Sequence, residues 1–273
     1  MKHRFIISGL AAASLAAAGC NGVGNTIAGT FGGSGMARLI VAAPTTTQTN
    51  IALQADHGTI DSGLSTSTRI GTYAKVNAGN VTFDVNTGAG SGDLVPAINV
   101  NVAASTNYSV VLEGEQGHPD YMAFAFQDTN ALNNAATVRF KVNNAAPNLA
   151  TPVDVYIWLA GQGIPGTPTV PGLALNQDSG SAASHPGNAY IPQQGTTTTL
   201  PTGTYDIAIA PAGSVPNGVS DLFDGSTALS VNTSYSLTIE DQSGTQNDIG
   251  VIKSIDEPFQ STNQSVIVRQ AVR

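Results

Sequence analysis

Apolar residues recur at every second position through most of the chain, and this alternation limits what it can fold into. It is clearest in VTFDV (residues 81–85), INVNV (98–102), VDVYIWL (153–159) and YDIAI (205–209). A period of two predicts half-buried β-strands, and no segment after the N-terminal region keeps a helical period. Gly, Pro and Asn turns separate the short strands. We therefore predict an all-β chain of antiparallel β-sandwiches, immunoglobulin-like or transthyretin-like.

The strand sequences occur twice in the same order, which indicates an internal duplication. Four pairs of segments match: ARLIVAAP with VRFKVNNAAP, NIALQ with PVDVY, NAGNVTFDV with PTGTYDIAI, and STNYSVVLE with NTSYSLTIE. We predict two tandem sandwiches, repeat 1 over residues 37–130 and repeat 2 over 131–273. Each is longer than the ~70–80 residues below which a core rarely suffices.

Repeat 2 contains an insertion, and its last residues resemble an earlier segment of the chain. The matched segments place about 22 extra residues of repeat 2 within 161–199. This stretch is rich in Pro, Gly and Ser, and we expect a long loop there. Residues 259–272 resemble the junction between the repeats, 126–142, and an arginine precedes a valine by three residues in both. We predict a strand near 266–272 that completes repeat 2 or pairs with repeat 1.

Three segments of the sequence resemble a known family. ATVRFKVNNAAPNLATPVDVYIW, PTGTYDIAIAPAG and SVNTSYSLTIED are similar to motifs of domain of unknown function 4397. The resemblance covers most of repeat 2 and, more weakly, repeat 1, whose opening VAAPTTTQTNIAL departs from the pattern. It implies β-sandwich modules of exported and surface proteins in bacteria, often in tandem and often lipidated. It implies no catalytic residues.

The N-terminus has the features of a bacterial lipoprotein signal. A basic start precedes uncharged residues 5–18, which as a helix would span about 21 Å and not the ~30 Å hydrocarbon core. Ala-Ala-Gly-Cys then resembles a lipobox, in which the thiolate of Cys20 would take up the lipid. We predict a signal peptide over 1–19, lipidation at Cys20 and a flexible tether over 20–36. The alternative is an ordinary cleaved signal, with Cys20 a bystander.

These features predict where the protein is located and which partners it lacks. The chain has 10 basic and 18 acidic residues, and loss of the signal would remove two of the basic ones. Without a basic patch, we expect no nucleic-acid partner and no charge-driven binding to anionic lipid. We expect the lipid anchor to hold the protein to the cell envelope. The absence of Asp after Cys20 favours the outer membrane, on its periplasmic or surface face.

Several polar groups are candidates for a metal-binding or catalytic site. A metal could be ligated by Glu113, Glu115, His118 and Asp120. This segment lies between two predicted strands, however, where a hairpin turn is expected. The segment that begins at Asp84 loosely resembles a calcium loop, but it has Ala89 at the sixth position, where Gly is required, and Val95 at the twelfth, where Glu is required. No G-x-S-x-G elbow is present, and the lone histidines, His57 and His185, are placed in turns. We therefore predict no catalytic residues, no metal and no cofactor.

The candidate ligand-binding residues are Tyr156 and Trp158. They alternate with Val155 and Ile157, so a valine core would leave the two aromatics partly exposed and able to stack on a sugar ring. The alternative is that the loop after Trp158 covers it. We predict a non-enzymatic, lipid-anchored envelope protein that displays two β-sandwich modules for binding, adhesion or assembly to another envelope protein or a glycan. A glycan-binding module and an unrecognised hydrolase remain the alternatives.

Overall fold

The computed structural model describes most of the chain after the N-terminal region. The described residues are 33–43, 46–88, 92–114, 121–128, 136–181, 190–192, 199–217, 221–243, 246–256 and 265–267. The predicted signal peptide, Cys20 and most of the predicted tether lie outside them. Residues from Gly33 onward form one compact unit.

The described chain consists of β-strands joined by turns and loops, and it contains no helix. The first half supplies eight strands: β1 (Ser34–Val41), β2 (Ile51–Ala55), β3 (Gly58–Leu64), β4 (Ala74–Asn77), β5 (Gly79–Thr87), β6 (Ile98–Val102), β7 (Asn107–Glu113) and β8 (Met122–Asp128). The second half supplies nine: β9 (Val138–Asn144), β10 (Val153–Leu159), β11 (Val170–Leu173), β12 (Gln177–Asp178), β13 (Gly203–Pro211), β14 (Phe223–Leu229), β15 (Thr233–Asp241), β16 (Ile249–Ile255) and β17 (Ser265–Ile267).

The strands form four sheets, each drawn from one half of the chain. Outer sheet 1 has the order β3-β2-β5-β6 and inner sheet 1 the order β4-β1-β7-β8. Inner sheet 2 has the order β12-β9-β15-β16-β17, and outer sheet 2 the order β11-β10-β13-β14. In each half the outer and inner sheets pack face to face. The predicted all-β fold of tandem β-sandwiches is therefore confirmed.

Three apolar layers separate these four sheets. One core lies between the two sheets of repeat 1, around Phe83 and Leu112, and another between those of repeat 2, around Phe140 and Phe223. Burial of a large apolar side chain contributes about 1.5–3 kcal/mol. A third cluster joins inner sheet 1 to inner sheet 2. It consists of Ile40, Ala42, Val111, Phe124, Phe126, Ala145 and Ile252.

The strand pairing differs from the purely antiparallel arrangement that we predicted. β1 pairs parallel with β7, and β9 pairs parallel with β15. Parallel neighbours need a long crossover connection, and in both repeats the outer-sheet strands supply it. The remaining strand pairs are antiparallel.

Several boundaries also differ from the sequence prediction. β1 begins at Ser34, inside the predicted tether. The segment 161–199 contains two short strands, β11 and β12, rather than only a loop. β17 pairs with β16, so the described residues 265–267 complete repeat 2; residues 268–272 of the predicted strand lie outside the described chain. No helix in the described part of the chain is long and apolar enough to cross a membrane.

Candidate functional site

The predicted binding residues lie on the outer surface of outer sheet 2. Trp158 of β10 is the cross-strand neighbour of Asp206 in β13, which in turn neighbours Ser226 in β14. All three side chains are partly exposed. Asp224, on the same face of β14, has a pKa raised by burial and by the nearby carboxylates of Asp221 and Asp206. We call this surface, with Tyr156 and Ala208, the Trp158 face.

Tyr156 is not exposed in the way the alternation suggested. Its side chain is only 2% exposed, and its hydroxyl donates a hydrogen bond to the carbonyl of Ser214 at 3.0 Å. The loop after β13 folds back over this end of the sheet and buries the ring. Trp158 is therefore the more accessible of the two aromatics, and the ligand-binding role of the pair stays a prediction.

Asp154 fixes the loops that border the Trp158 face. Its carboxylate accepts hydrogen bonds from the backbone N–H groups of Gly172 and Gly213, each at 2.7 Å. Gly172 has a φ of 62°, a left-handed conformation that glycine adopts without a steric penalty. The side chain thus ties β11 and the loop after β13 to β10.

A second polar site lies between the repeats, where no site was predicted. Arg38 of repeat 1 forms an ion pair with Asp256 of repeat 2 at 2.8 Å, and Lys141 of repeat 2 forms one with Asp128 of repeat 1 at 2.6 Å. All four side chains are at most 1% exposed. Each repeat therefore gives its cation to the carboxylate of the other.

Buried hydroxyl groups complete this arrangement. Asp128 accepts hydrogen bonds from Ser109 and Tyr73, both at 2.6 Å. The equivalent hydroxyls of repeat 2, those of Ser236 and Tyr190, donate to the other carboxylate at 2.7 and 2.6 Å. We call these five side chains, together with Arg38, Lys141 and Asp256, the inter-repeat cluster. Charged groups are buried in proteins when they are paired and hydrogen-bonded in this way.

The register of the strands assigns the equivalent cations. Arg38 lies opposite Ser109, and Lys141 lies opposite Ser236, the matching serine of the second repeat. The counterpart of Arg38 is therefore Lys141, although the sequence motif had suggested Arg139. Two residues separate the two positions because the matched segments differ by two residues in length.

Each cation also satisfies a main-chain carbonyl of the other repeat. Arg38 donates to the carbonyl of Ile255 at 2.6 Å, and Lys141 donates to that of Gln127 at 2.5 Å. These carbonyls occupy equivalent positions at the ends of β16 and β8. The exchange of cations is thus symmetric in its main-chain contacts as well as in its ion pairs.

The two carboxylates titrate differently although their positions match. Burial would raise the pKa of Asp128, but the charges of Lys141 and Arg38 lower it. Burial and the charge of Asp128 raise the pKa of Asp256 to about 6, against the opposing effect of Arg38 and Lys141. Two carboxylates in one buried cluster cannot ionise equally easily.

A further ion pair between the repeats lacks this symmetry. Arg69 binds both carboxylate oxygens of Glu240, at 3.0 and 2.6 Å. The matching carboxyl, Glu113, accepts backbone N–H groups, including that of Asp241 at 3.3 Å. By strand register the counterpart of Arg69 is Gln177, which is uncharged. Burial, then the charges of Glu240 and Asp241, raise the pKa of Glu113 well above its ordinary value.

Most of the other predicted groups lie where the structure does not test them. Glu115, His118 and Asp120 lie outside the described residues, as does His185. His57 is in the turn between β2 and β3, with a φ of 68°, as predicted. In the described part of the chain, no three His, Cys, Asp or Glu side chains are placed to hold a metal ion.

The inter-repeat cluster left a sequence signal that the alternation obscured. The uninterrupted apolar runs LIV in β1 and VVL in β7 depart from period two, and both are buried throughout. Continuous runs of this kind are typical of strands covered on both faces. The sequence therefore marked these strands as covered on both sides, but not by which part of the chain.

Comparison with known proteins gives one family match. The family model described as domain of unknown function, DUF4397, matches residues 35–156. These residues comprise repeat 1 and the first strands of repeat 2, whereas the motifs that we compared were strongest in repeat 2. The match agrees with the family that the sequence resembles.

The comparisons with individual proteins are weaker. No curated protein matches the chain. Among solved structures, a leucine-rich repeat protein from Bacteroides thetaiotaomicron is similar at 12% identity and a TM-score of 0.18. The similarity covers 75% of this chain and 25% of that one.

Proposed function

We propose that this chain, whose residues 35–156 match DUF4397, is a non-enzymatic, lipid-anchored envelope protein that displays two β-sandwich modules for binding. The inter-repeat cluster is the observation that supports this most directly. It joins the repeats through buried ion pairs, so the two outer sheets are presented as one rigid body. A lipobox-like segment precedes this body in the sequence, and the partner is an envelope protein or a glycan, not a nucleic acid.

The anchor is tested by changing the cysteine. Cys20→Ser should abolish acylation, so the protein should move from the membrane fraction to the soluble fraction after detergent partitioning. Cys20→Ala is a matched second variant, since it also lacks the thiol. Unchanged partitioning of both variants would refute the lipid anchor without affecting the proposed binding role.

A second candidate function, glycan binding, is favoured by the Trp158 face. An aromatic ring beside polar groups is a common way to bind a sugar ring. The three strands that form this face, β10, β13 and β14, contain no Lys or Arg. Because Asp206 and Asp224 are acidic, the ligand would be an uncharged glycan rather than a uronate or a sulfated sugar.

A glycan array separates these two candidates. A fragment of residues 33–273 should bind neutral glycans, and Trp158→Ala should reduce binding at least tenfold. Thr82→Ala, on the outer face of outer sheet 1, is a matched control that should leave binding unchanged. No binding to any glycan would refute the second candidate and leave a protein partner.

A further inference from the structure

The last described strand of repeat 2 covers a sheet edge whose counterpart in repeat 1 carries no strand among the described residues. β17 pairs antiparallel with residues Val251–Lys253 of β16. Ile267 of β17 is 4% exposed and belongs to the repeat 2 core. β17 therefore contributes both main-chain pairing and an apolar side chain to this edge.

The equivalent edge of repeat 1 is residues 123–125 of β8. Asp128 and Asp256 occupy matching positions, since each accepts the matching serine and tyrosine hydroxyls. Counting back the same number of residues from each places Ala123–Ala125 where Val251–Lys253 lie in repeat 2. Within the described residues, β8 is the last strand of inner sheet 1.

The connectivity explains why no described strand takes this place beside β8. β17 begins at Ser265, shortly after Asp256, and returns to its own sheet. β9 begins at Val138, at a similar distance after Asp128, but it enters inner sheet 2 and pairs with β15. The segment that could cover β8 is thus used to start the second sandwich.

The alternation of the backbone shows which groups this edge exposes. The carbonyl of Gln127 points away from β7, because it accepts the Lys141 ammonium group. In an antiparallel pair, the N–H and C=O of one residue point to the same side, and this side alternates along the strand. Ala125 and Ala123 therefore direct their N–H and C=O groups outward too. The matching residues of β16, Lys253 and Val251, face β17.

The side chains at this edge are also incompletely covered. Ala123 and Ala125 are partly exposed, and so are Ile98 and Val100 of β6, although all four pack against the repeat 1 core. In repeat 2, the matching positions of β14 are Gly225 and Thr227, and both are buried. β8 has a continuous register with β7 and carries no Pro or Lys, the residues that commonly protect an edge strand from pairing.

We propose that the β8 edge binds an extended segment of a partner protein, which pairs antiparallel with Ala123–Ala125 as β17 pairs with β16. The segment is uncharged where it pairs, and it places a β-branched apolar side chain beside Ala123, as Ile267 lies beside Val251. Main-chain pairing supplies affinity in this mode, and the apolar side chain supplies selectivity. The site is separate from the Trp158 face, so it does not depend on glycan binding.

Hydrogen exchange with a peptide probe tests the proposal. The probe is a synthetic peptide of residues 262–270, TNQSVIVRQ, which contains the β17 sequence. In the protein alone, the amides of Ala123 and Ala125 should exchange at least tenfold faster than those of Val251 and Lys253. Added peptide should slow the two alanine amides. A peptide with aspartate in place of Ile267 is the control and should not.

A variant locates the binding to this edge. Ala125→Pro removes one outward N–H group without removing a bond to β7, and it should weaken peptide binding at least tenfold. Met122→Ala, an exposed change on the same strand, should leave it unchanged. The exchange measurement on the unaltered protein does not depend on how either variant folds.

Three outcomes would overturn the proposal. Slow exchange of both alanine amides without peptide would mean that another part of the chain occupies the edge. Faster exchange at Val251, with no change at Ala123, would mean that the peptide displaces β17. A dimer that Ala125→Pro dissociates would assign the edge to a second copy instead.

Discussion

Within the inter-repeat cluster the two inner sheets carry matching polar groups, whereas the outer faces of the two outer sheets have diverged. The inter-repeat cluster uses a cation, a serine, a tyrosine and an aspartate from each repeat in matching positions. The outer face of outer sheet 1 instead presents small polar side chains, such as Thr82, which donates to Asn99 at 2.9 Å. The outer face of outer sheet 2 carries Trp158. Each inner face is constrained by the other, while an outer face is free to change with its ligand.

Removing one cation of the inter-repeat cluster should reduce the free energy of unfolding more than any other change proposed here. Arg38→Met leaves Asp256 buried without its ion pair, and the loss of one partner of a buried pair typically costs about 3–5 kcal/mol. Urea denaturation should show that loss in the free energy of unfolding, and a similar loss for Lys141→Met. Lys75→Met, at an exposed position of β4, is the control. A loss below about 1 kcal/mol for both cluster variants would contradict the assigned role.

Asp154 tests a difference between the outer sheets. Its counterpart in repeat 1 is Ala52, so only repeat 2 ties its loops in this way. Asp154→Ala leaves two backbone N–H groups without their acceptor, and we expect a loss of about 2–3 kcal/mol. Limited proteolysis should cut the loop between β10 and β11 faster in the variant. Asp206→Ala, a partly exposed position on the same face, should change neither measurement, and equal cleavage of both variants would count against the anchoring role.

The pH dependence of stability should show that the repeats share buried carboxyl groups. Burial raises the pKa of Glu240 to about 7, although Arg69 opposes this, and Asp256 is raised as well. The folded state therefore keeps protons that the unfolded chain loses, so stability should fall as pH rises from about 4.5 to 7.

Unfolding in urea across this range measures the change. Each such group contributes at most about 1.4 kcal/mol per pH unit. The pKa of Asp128 is lowered, so the stability that its carboxylate gives to the folded protein is lost only below this pH window. Glu240→Gln should flatten the slope, and a wild-type stability that rises with pH would show the opposite linkage.

The smallest expected effect is a gain from restoring the missing ion pair. Gln177→Arg places a guanidinium where Arg69 lies in repeat 1, within reach of Glu113. It should lower the pKa of Glu113 and raise the free energy of unfolding by about 1 kcal/mol. Gln177→Met matches the length without the charge and should give no gain. Equal stability of the two variants would mean that the asymmetry has no energetic consequence.

The sequence indicated which face of each strand is buried, but not which strands and charged side chains pair with one another. Period two identified the core side of strands such as Val81–Val85, because burial on one face leaves that pattern. It did not identify the parallel pairing of β1 with β7, because alternation carries no strand direction. Nor did it identify the contact of Arg38 with Asp256, 218 residues away, since the partner of a buried charge depends on tertiary packing. The alternation also failed to predict the burial of Tyr156, because the loop that contains Ser214, 58 residues away, covers its ring.

The parallel pairing of β1 with β7 has a consequence for how the chain folds. Arg38 meets Ser109 across 71 residues, and Asn143 meets Thr238 across 95. Contacts this remote in sequence form slowly, because a long loop must close before they stabilise anything. The outer hairpins can assemble from neighbouring segments. The first strand can pair with β4, but it lacks its second neighbour until β7 has been made. β1, the first described strand, is therefore among the last to gain both of its neighbours in the sheet.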